Sequence, residues 1–523
     1  MNRTAIRWMA APIAVVVVAA AAWAGVSRLN RTDSAPNLVG PNSRLVVAAE
    51  QARRPADAVV HKVTLTAAPA TIDVGGRKVK TWAFNGTVPG PEIRLRAGEV
   101  LRATVRNRLP DPLTIHWHGI ALRNDMDGVP DVIQKPIPAG GDFVYEFTAP
   151  DPGTYFYHPH TGTQLDRGLY APLIVEDPEA PVAYDRDYPV LLDDWIDGTG
   201  MTPDDVLARL KASGGQMSGG RSGMGNGGMG MGGMGMGDQA SAGSMGASPM
   251  LRSAEQPLGD DTGDVDYPLY LINGRSPTQP TELATAPGER VRLRLVNAGS
   301  DTPFRVAVGG SRMTVIATDG FPVQPVTVDT ILLGMGERYD VIITAPKAGA
   351  SPVVAVAEGK DARALAVLRS GPGATPRPDS NPSEIHGRLL SLDDLHATPQ
   401  VALPAQEPDR TYRAALIGDM ASYRWGIAAT EDDGITLPVR EGQRIRLVIE
   451  NHTMMWHPIH LHGQTFQVAT RNGTGPRKDT VIVPAMGTVT VELTANNPGQ
   501  WVLHCHNTYH AEAGMLTTLS YVS

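Results

Sequence analysis

GERVRLRLVN, residues Gly288–Asn297, sets Val291, Leu293 and Leu295 against Arg290, Arg292 and Arg294. A period of two puts one of these sets on the buried face of a β-strand. The same ten-residue pattern stands twice more, as GEVLRATVRN at Gly98–Asn107 and GQRIRLVIEN at Gly442–Asn451. A second block also comes three times: TAPDPG at Thr148–Gly153, TAPKAG at Thr344–Gly349 and TANNPG at Thr494–Gly499. Each reads as a strand end, a turn and a further strand. Three copies of a strand-rich unit predict three related β-sandwich domains, over 56–180, 185–375 and 385–523.

Composition agrees. A chain of 523 residues has room for about three domains. With 56 Gly and 43 Pro it is punctuated for short strands and turns rather than long helices. The net charge of −8 disfavours nucleic acid as a partner, because binding it needs a basic surface. The one cysteine, Cys505, excludes an intrachain disulfide.

Two segments stand apart from the repeats. Trp8–Val26 is nearly pure Ala, Val and Ile behind Arg3 and Arg7, so 1–29 reads as a signal or membrane anchor helix. Residues 30–55 read as a polar tether, and the body is expected outside the cytoplasmic membrane. Within the second unit, Thr202-Pro203-Asp204-Asp205 caps a short helix with Val206, Leu207 and Leu210 on one face. A Met/Gly-rich insert, 213–250, follows. It holds Met217, Met224, Met229, Met231, Met234, Met236, Met245 and Met250, with too little to bury for these to be core residues.

The histidines align on the repeats. Counting +18 and +20 from Gly98 gives His116 and His118; from Gly442 it gives His460 and His462. Counting +5 and +7 from Gly153 gives His158 and His160; from Gly499 it gives His504 and His506. The second unit has Val306, Val308, Val354 and Val356 at those offsets, so it kept the fold without the imidazoles. Residues i and i+2 of a strand point to one face, so four pairs from two domains converge eight imidazoles at an interface. Such clusters suit copper, zinc, iron or nickel, and eight exceed the needs of one ion. The third unit adds His457, Cys505 and His510 with Met515. Two imidazoles, a thiolate and an axial thioether make the ligand set of a blue-copper electron-transfer site. Cys505 lies between His504 and His506, so two backbone paths wire it to the cluster.

With these motifs the chain resembles the three-domain multicopper oxidases, the laccase and bacterial copper-resistance group, with its nearest likeness among actinobacterial members. The resemblance implies an all-β fold of three consecutive cupredoxin-like Greek-key β-sandwich domains, and four copper ions. Type 1 copper would be held by His457, Cys505, His510 and Met515, and type 2 by His116 and His460. One type 3 ion would take His118, His158 and His506; the other would take His160, His462 and His504. The implied reaction couples one-electron oxidation of substrate to four-electron reduction of O2 to water. Asp127 is similar to an acid near type 2 in relatives. Glu512 stands one residue beyond the relatives' acid after the last type 1 histidine, where this chain has Ala511.

The reductant is expected to be Cu(I), with phenol oxidation beside it. Met454, Met455 and the Met-rich insert are soft thioethers suited to Cu(I), although Thr453 replaces an acid of bacterial relatives. The alternatives are a laccase-like oxidase of phenols or Fe(II), and a non-enzymatic, Met-rich copper-sequestering protein. The expected state is a monomer, touching membrane only through its N-terminal segment.

Overall fold

The computed structural model describes residues 37–177, 182–214, 257–259, 261–347, 349–429 and 436–523. The apolar N-terminal run and most of the Met/Gly-rich insert lie outside the described residues.

The repeat strands become the centres of three alike sheets. Val100–Asn107 runs parallel to Val60–Asp73 and antiparallel to Asp142–Thr148. Arg290–Asn297 does the same with Arg186–Trp195 and Arg338–Thr344, and Arg444–Asn451 with Arg410–Asp419 and Thr488–Thr494. A second sheet in each unit contains a parallel pair at its edge: Ile93–Arg96 with Ala171–Glu176, Thr281–Ala284 with Arg363–Arg369, and Pro438–Val439 with Leu516–Tyr521. Alternating apolar residues from the two sheets fill one core per unit.

In the second unit the histidine offsets carry core residues. Val306, Val308 and Val354 are fully buried. Each contributes roughly 1.5–3 kcal/mol of burial where the flanking units carry imidazoles. The helix expected after Thr202 spans Pro203–Ser213, with the capping box between Thr202 and Asp205 formed and Val206 and Leu210 in the core.

Residues 37–53, read above as part of a polar tether, are docked on the body instead. Leu38 bridges Val522, and Val39 N donates to the Tyr521 carbonyl at 2.8 Å. A helix, Arg44–Arg53, starts at Ser43, whose Oγ accepts from Val46 N. It buries Val46 in the core of the third unit. Its Glu50 accepts from Thr148 N and Oγ1 of the first unit, at 3.0 and 2.8 Å. This segment therefore pins the first unit to the third, and it docks through Val46 of its apolar run Leu45–Ala49.

Candidate metal centres

Strand pairing assembles the histidines. His116–His118 pairs with Gly153–His158 so that His116 stands opposite His158. His457–Leu461 pairs with Gln500–Cys505 so that His460 stands opposite His504, and Ile459 opposite Cys505. The two units then face each other. The rings of His116 and His462 stack with centroids 3.7 Å apart, and those of His118 and His460 at 3.8 Å. All eight predicted imidazoles enter one interface, and all but His160 are buried.

The donor atoms fit metal ions. His118 Nδ1 lies 3.2 Å from His506 Nε2, and His462 Nε2 3.0 Å from His504 Nε2. Two nitrogens sharing one tetrahedral first-row ion sit about 3.3 Å apart, from bonds of about 2.0 Å. His116 Nε2, His158 Nε2 and His460 Nε2 are buried without a hydrogen-bond partner. Such orphaned groups are costly unless something coordinates them. His160, His462 and His504 bring their donor atoms within 4.8 Å of one another, as do His116, His460 and His462. Burial, then repulsion among neighbouring imidazoles, holds His118, His158, His462, His504 and His506 well below the ordinary range. The same causes bring His160 down to about 3. These six imidazoles are therefore neutral and ready to bind cations at physiological pH.

Two buried carboxylates orient it. Asp127 holds both rings by Nδ1, His116 through its backbone carbonyl at 3.0 Å and His462 through Oδ2 at 2.9 Å, turning both Nε2 atoms inward. The turn holding Asp127 needs glycine next: a Cβ on Gly128 would fall 1.8 Å from the Ile115 carbonyl oxygen. Asp479, which no sequence motif marked, has Oδ1 3.4 Å from both His118 Nε2 and His460 Nδ1. Burial alone would raise its carboxyl, but adjacent Arg338 holds it well below the usual carboxylate range.

Three residues of the predicted mononuclear set, His457, Cys505 and His510, also come together. Cys505 Sγ lies 3.7 Å from Nδ1 of both His457 and His510, and those nitrogens are 3.1 Å apart. Met515 is buried in the same core; its carbonyl accepts from Cys505 N at 3.0 Å. Asp264 of the second unit, unmarked in the sequence, receives the Tyr423 hydroxyl at 2.7 Å and lies 3.0 Å from His510 Nε2. Burial disfavours a charged His510, but Asp264 pushes it up to about 10. Thr453 Oγ1 stands 2.8 Å from His457 Nε2, where relatives were expected to carry an acid. The methionine pair divides: Met455 is buried against Met335 and Trp456, whereas Met454 is 72% exposed. Met486, 65% exposed, adjoins it through a bond from its N to the Thr453 carbonyl at 3.1 Å.

Glu512 ends a short helix, Thr508–Glu512. It lines a cavity of about 40 Å3 with His158, His160, His504 and His506. That is room for water-sized molecules beside the cage. Glu512 reaches solvent at the mouth of this cavity, and desolvation by the surrounding protein still raises its carboxyl.

Comparison with known proteins matches this geometry. Family models described as multicopper oxidase match residues 66–180, 186–372 and 405–522. Multicopper oxidase MmcO of Mycobacterium tuberculosis is 44% identical over 91% of this chain and 90% of its own length. Copper resistance protein A homolog of Pseudomonas syringae pv. tomato is 30% identical over 86% of this chain and 90% of its own. The crystal structure of a multi-copper oxidase from Pseudomonas thermotolerans superposes with a TM-score of 0.64 at 27% identity, covering 89% of this chain and 100% of that one.

Proposed function

This chain belongs to the multicopper oxidases, oxidoreductases that use O2, and on that footing we propose that it is a cuprous oxidase serving copper tolerance. The observation that carries the reading is the joining of the two centres. His504 and His506 reach into the cage, while Cys505 between them faces His457 and His510. The residues assigned to four copper ions are those expected above. His457, Cys505, His510 and Met515 take the mononuclear ion, and His116 and His460 the type 2 ion. His118, His158, His506 and His160, His462, His504 take the type 3 pair. Bound copper supplies one-electron steps that combine four electrons, four protons and O2 into two waters.

The chain's own groups do the rest. Asp127 orients His116 and His462. Glu512, in the cavity beside His160 and His504, delivers protons toward the cage. Asp264, fully buried on His510 Nε2, orients that imidazole. Glu512→Gln is expected to lower aerobic turnover about a hundredfold. Copper content should stay intact, as should the rate at which substrate bleaches the blue absorption under nitrogen. Unchanged aerobic turnover would remove Glu512 from the proton path.

Cu(I) as substrate is supported by the exposed thioethers of Met454 and Met486 near His457, and by the copper-resistance relative. Replacing both methionines with alanine should raise KM for Cu(I) about tenfold, the cost of roughly 1.4 kcal/mol in binding. Phenol kinetics should not move. The Met/Gly-rich insert is assigned to capturing Cu(I) by tethering, so deleting residues 217–250 should slow oxidation only at low Cu(I). The N-terminal apolar run places the body outside the cytoplasmic membrane in this reading.

The deciding experiment is metal analysis with O2 uptake on Cu(I) and on a phenol. Higher kcat/KM for phenol than for Cu(I) would make the chain a laccase-like enzyme. Bound copper without O2 uptake would make it a sequestering protein.

A further inference from the structure

The second unit carries no histidine pair, yet one of its side chains reaches the cage. Arg338, fully buried, starts the strand Arg338–Thr344. Its Nη1 and Nη2 donate to Asp479 Oδ1 and Oδ2 of the third unit, both at 2.6 Å. Its Nε donates to the Thr154 carbonyl of the first unit at 3.1 Å, and Nη1 to the Gly336 carbonyl at 3.0 Å. One guanidinium thus ties three units together.

Its partner Asp479 faces two stacked imidazoles from different units. Oδ1 is 3.4 Å from His118 Nε2 and 3.4 Å from His460 Nδ1. Thr480 Oγ1 donates to the same oxygen at 2.8 Å and stands 3.3 and 3.1 Å from those two nitrogens. The consequence is asymmetric. His460 is left with Nε2, which has no other partner, and His118 with Nδ1, which faces His506 Nε2 at 3.2 Å. The Asp479 carbonyl oxygen, 3.0 Å from His460 Nδ1, holds that nitrogen as well, so one residue selects opposite ring nitrogens on neighbouring ligands, His118 through its carboxylate and His460 through carboxylate and backbone together.

The approach is built closely. A Cβ on Gly119 would fall 2.3 Å from Arg338 Nη2 and 2.7 Å from Asp479 Oδ2. A Cβ on Gly336 would fall 2.9 Å from His506 Cδ2 and 3.0 Å from His118 Cε1. Both positions have positive φ, +87° and +84°, so glycine is required on both counts.

We propose that Arg338 is a positioning residue for the trinuclear site, its rigid fork fixing Asp479 so that His118 presents Nδ1 and His460 presents Nε2. This rests on the reading that the cage holds copper. A planar, two-pronged cation fixes both the place and the tilt of a carboxylate, whereas a lysine fixes only distance. The group opposite the metal on each imidazole sets its tautomer and ring angle. Burial removes the water that would otherwise reorient an unclamped carboxylate.

The test compares copper-loaded wild type with Arg338→Lys, Asp479→Asn and Arg294→Lys. Arg294 is the control. It too is buried between units, donating to Asp187 and to Thr154 Oγ1, but it touches no histidine. Arg338→Lys and Asp479→Asn should keep the blue absorption, change the type 2 hyperfine coupling in electron paramagnetic resonance, and slow O2 reduction about 10–100-fold. Arg294→Lys should leave that spectrum unchanged. A wild-type spectrum in both cage variants, or the same change in Arg294→Lys, overturns the proposal. If Arg338→Lys does not fold, Asp479→Asn decides alone by the same spectrum. A wild type that holds one copper per chain fails the cage reading instead, and is told apart by metal analysis before any variant is made.

Discussion

Cys505→Ser should abolish the blue absorption and cut steady-state turnover at least about a thousandfold, equivalent to roughly 4 kcal/mol of barrier. Serine is close in volume, and Cys505 is buried in a packed core, so the fold should survive. The hydroxyl is a harder, far less acidic ligand than the thiol, so soft thiolate donation is lost. The electron path is lost with it. Sγ stands 3.7 Å from Nδ1 of His457 and of His510, and the same residue is bonded through backbone to His504 and His506. The eight cage histidines are untouched, so the variant should retain its cluster copper. Visible absorption, copper per chain and O2 uptake measure all three effects. Turnover within tenfold of wild type would show that electrons enter elsewhere.

Asp127→Asn should weaken copper retention and turnover by about 10–100-fold while leaving the blue absorption in place. Wild-type Asp127 lies against Nδ1 of His116 and His462, one from each ligand-bearing unit. Asparagine has a similar shape but can accept at only one of its two ends. His116 keeps the backbone carbonyl of residue 127, so the loss falls on His462, which exchanges a charged acceptor for a weaker neutral amide oxygen. Dialysis against a graded copper chelator, followed by metal analysis, reads the retention. Turnover and copper content equal to wild type would reduce Asp127 to a turn-former before Gly128.

The sandwich architecture was legible because it follows from local patterning. Alternation in Gly288–Asn297 and its two copies depends only on the two-residue period of a strand, and all three became sheet centres. The paired histidines were legible for a related reason. Equal offsets in a repeated unit land on equal points of its fold, and those points face each other in the first and third units. Arg338 and Asp264 left no such trace, and Asp479, although Asp329 stands at the same distance before Gly349 as Asp479 does before Gly499, belongs to no ligand pattern. Each acts through a register or an interface between units. Exposure was equally hidden. Met454 and Met455 are neighbours of one type, yet the turn after the strand Arg444–Asn451 sends one into solvent and the other against Trp456.

The sequence by itself determined the all-β repeats, the eight imidazoles, and the grouping of His457, Cys505 and His510. Periodicity and ligand spacing are properties of chain order and survive without coordinates. The tertiary structure alone decided which nitrogen of each imidazole turns inward. It also decided which carboxylates hold the rings, and how Arg44–Arg53 and the second unit brace the two ligand-bearing units. These depend on burial, where an unpaired charge or orphaned donor is too costly to leave, and burial exists only once three separately patterned units have docked.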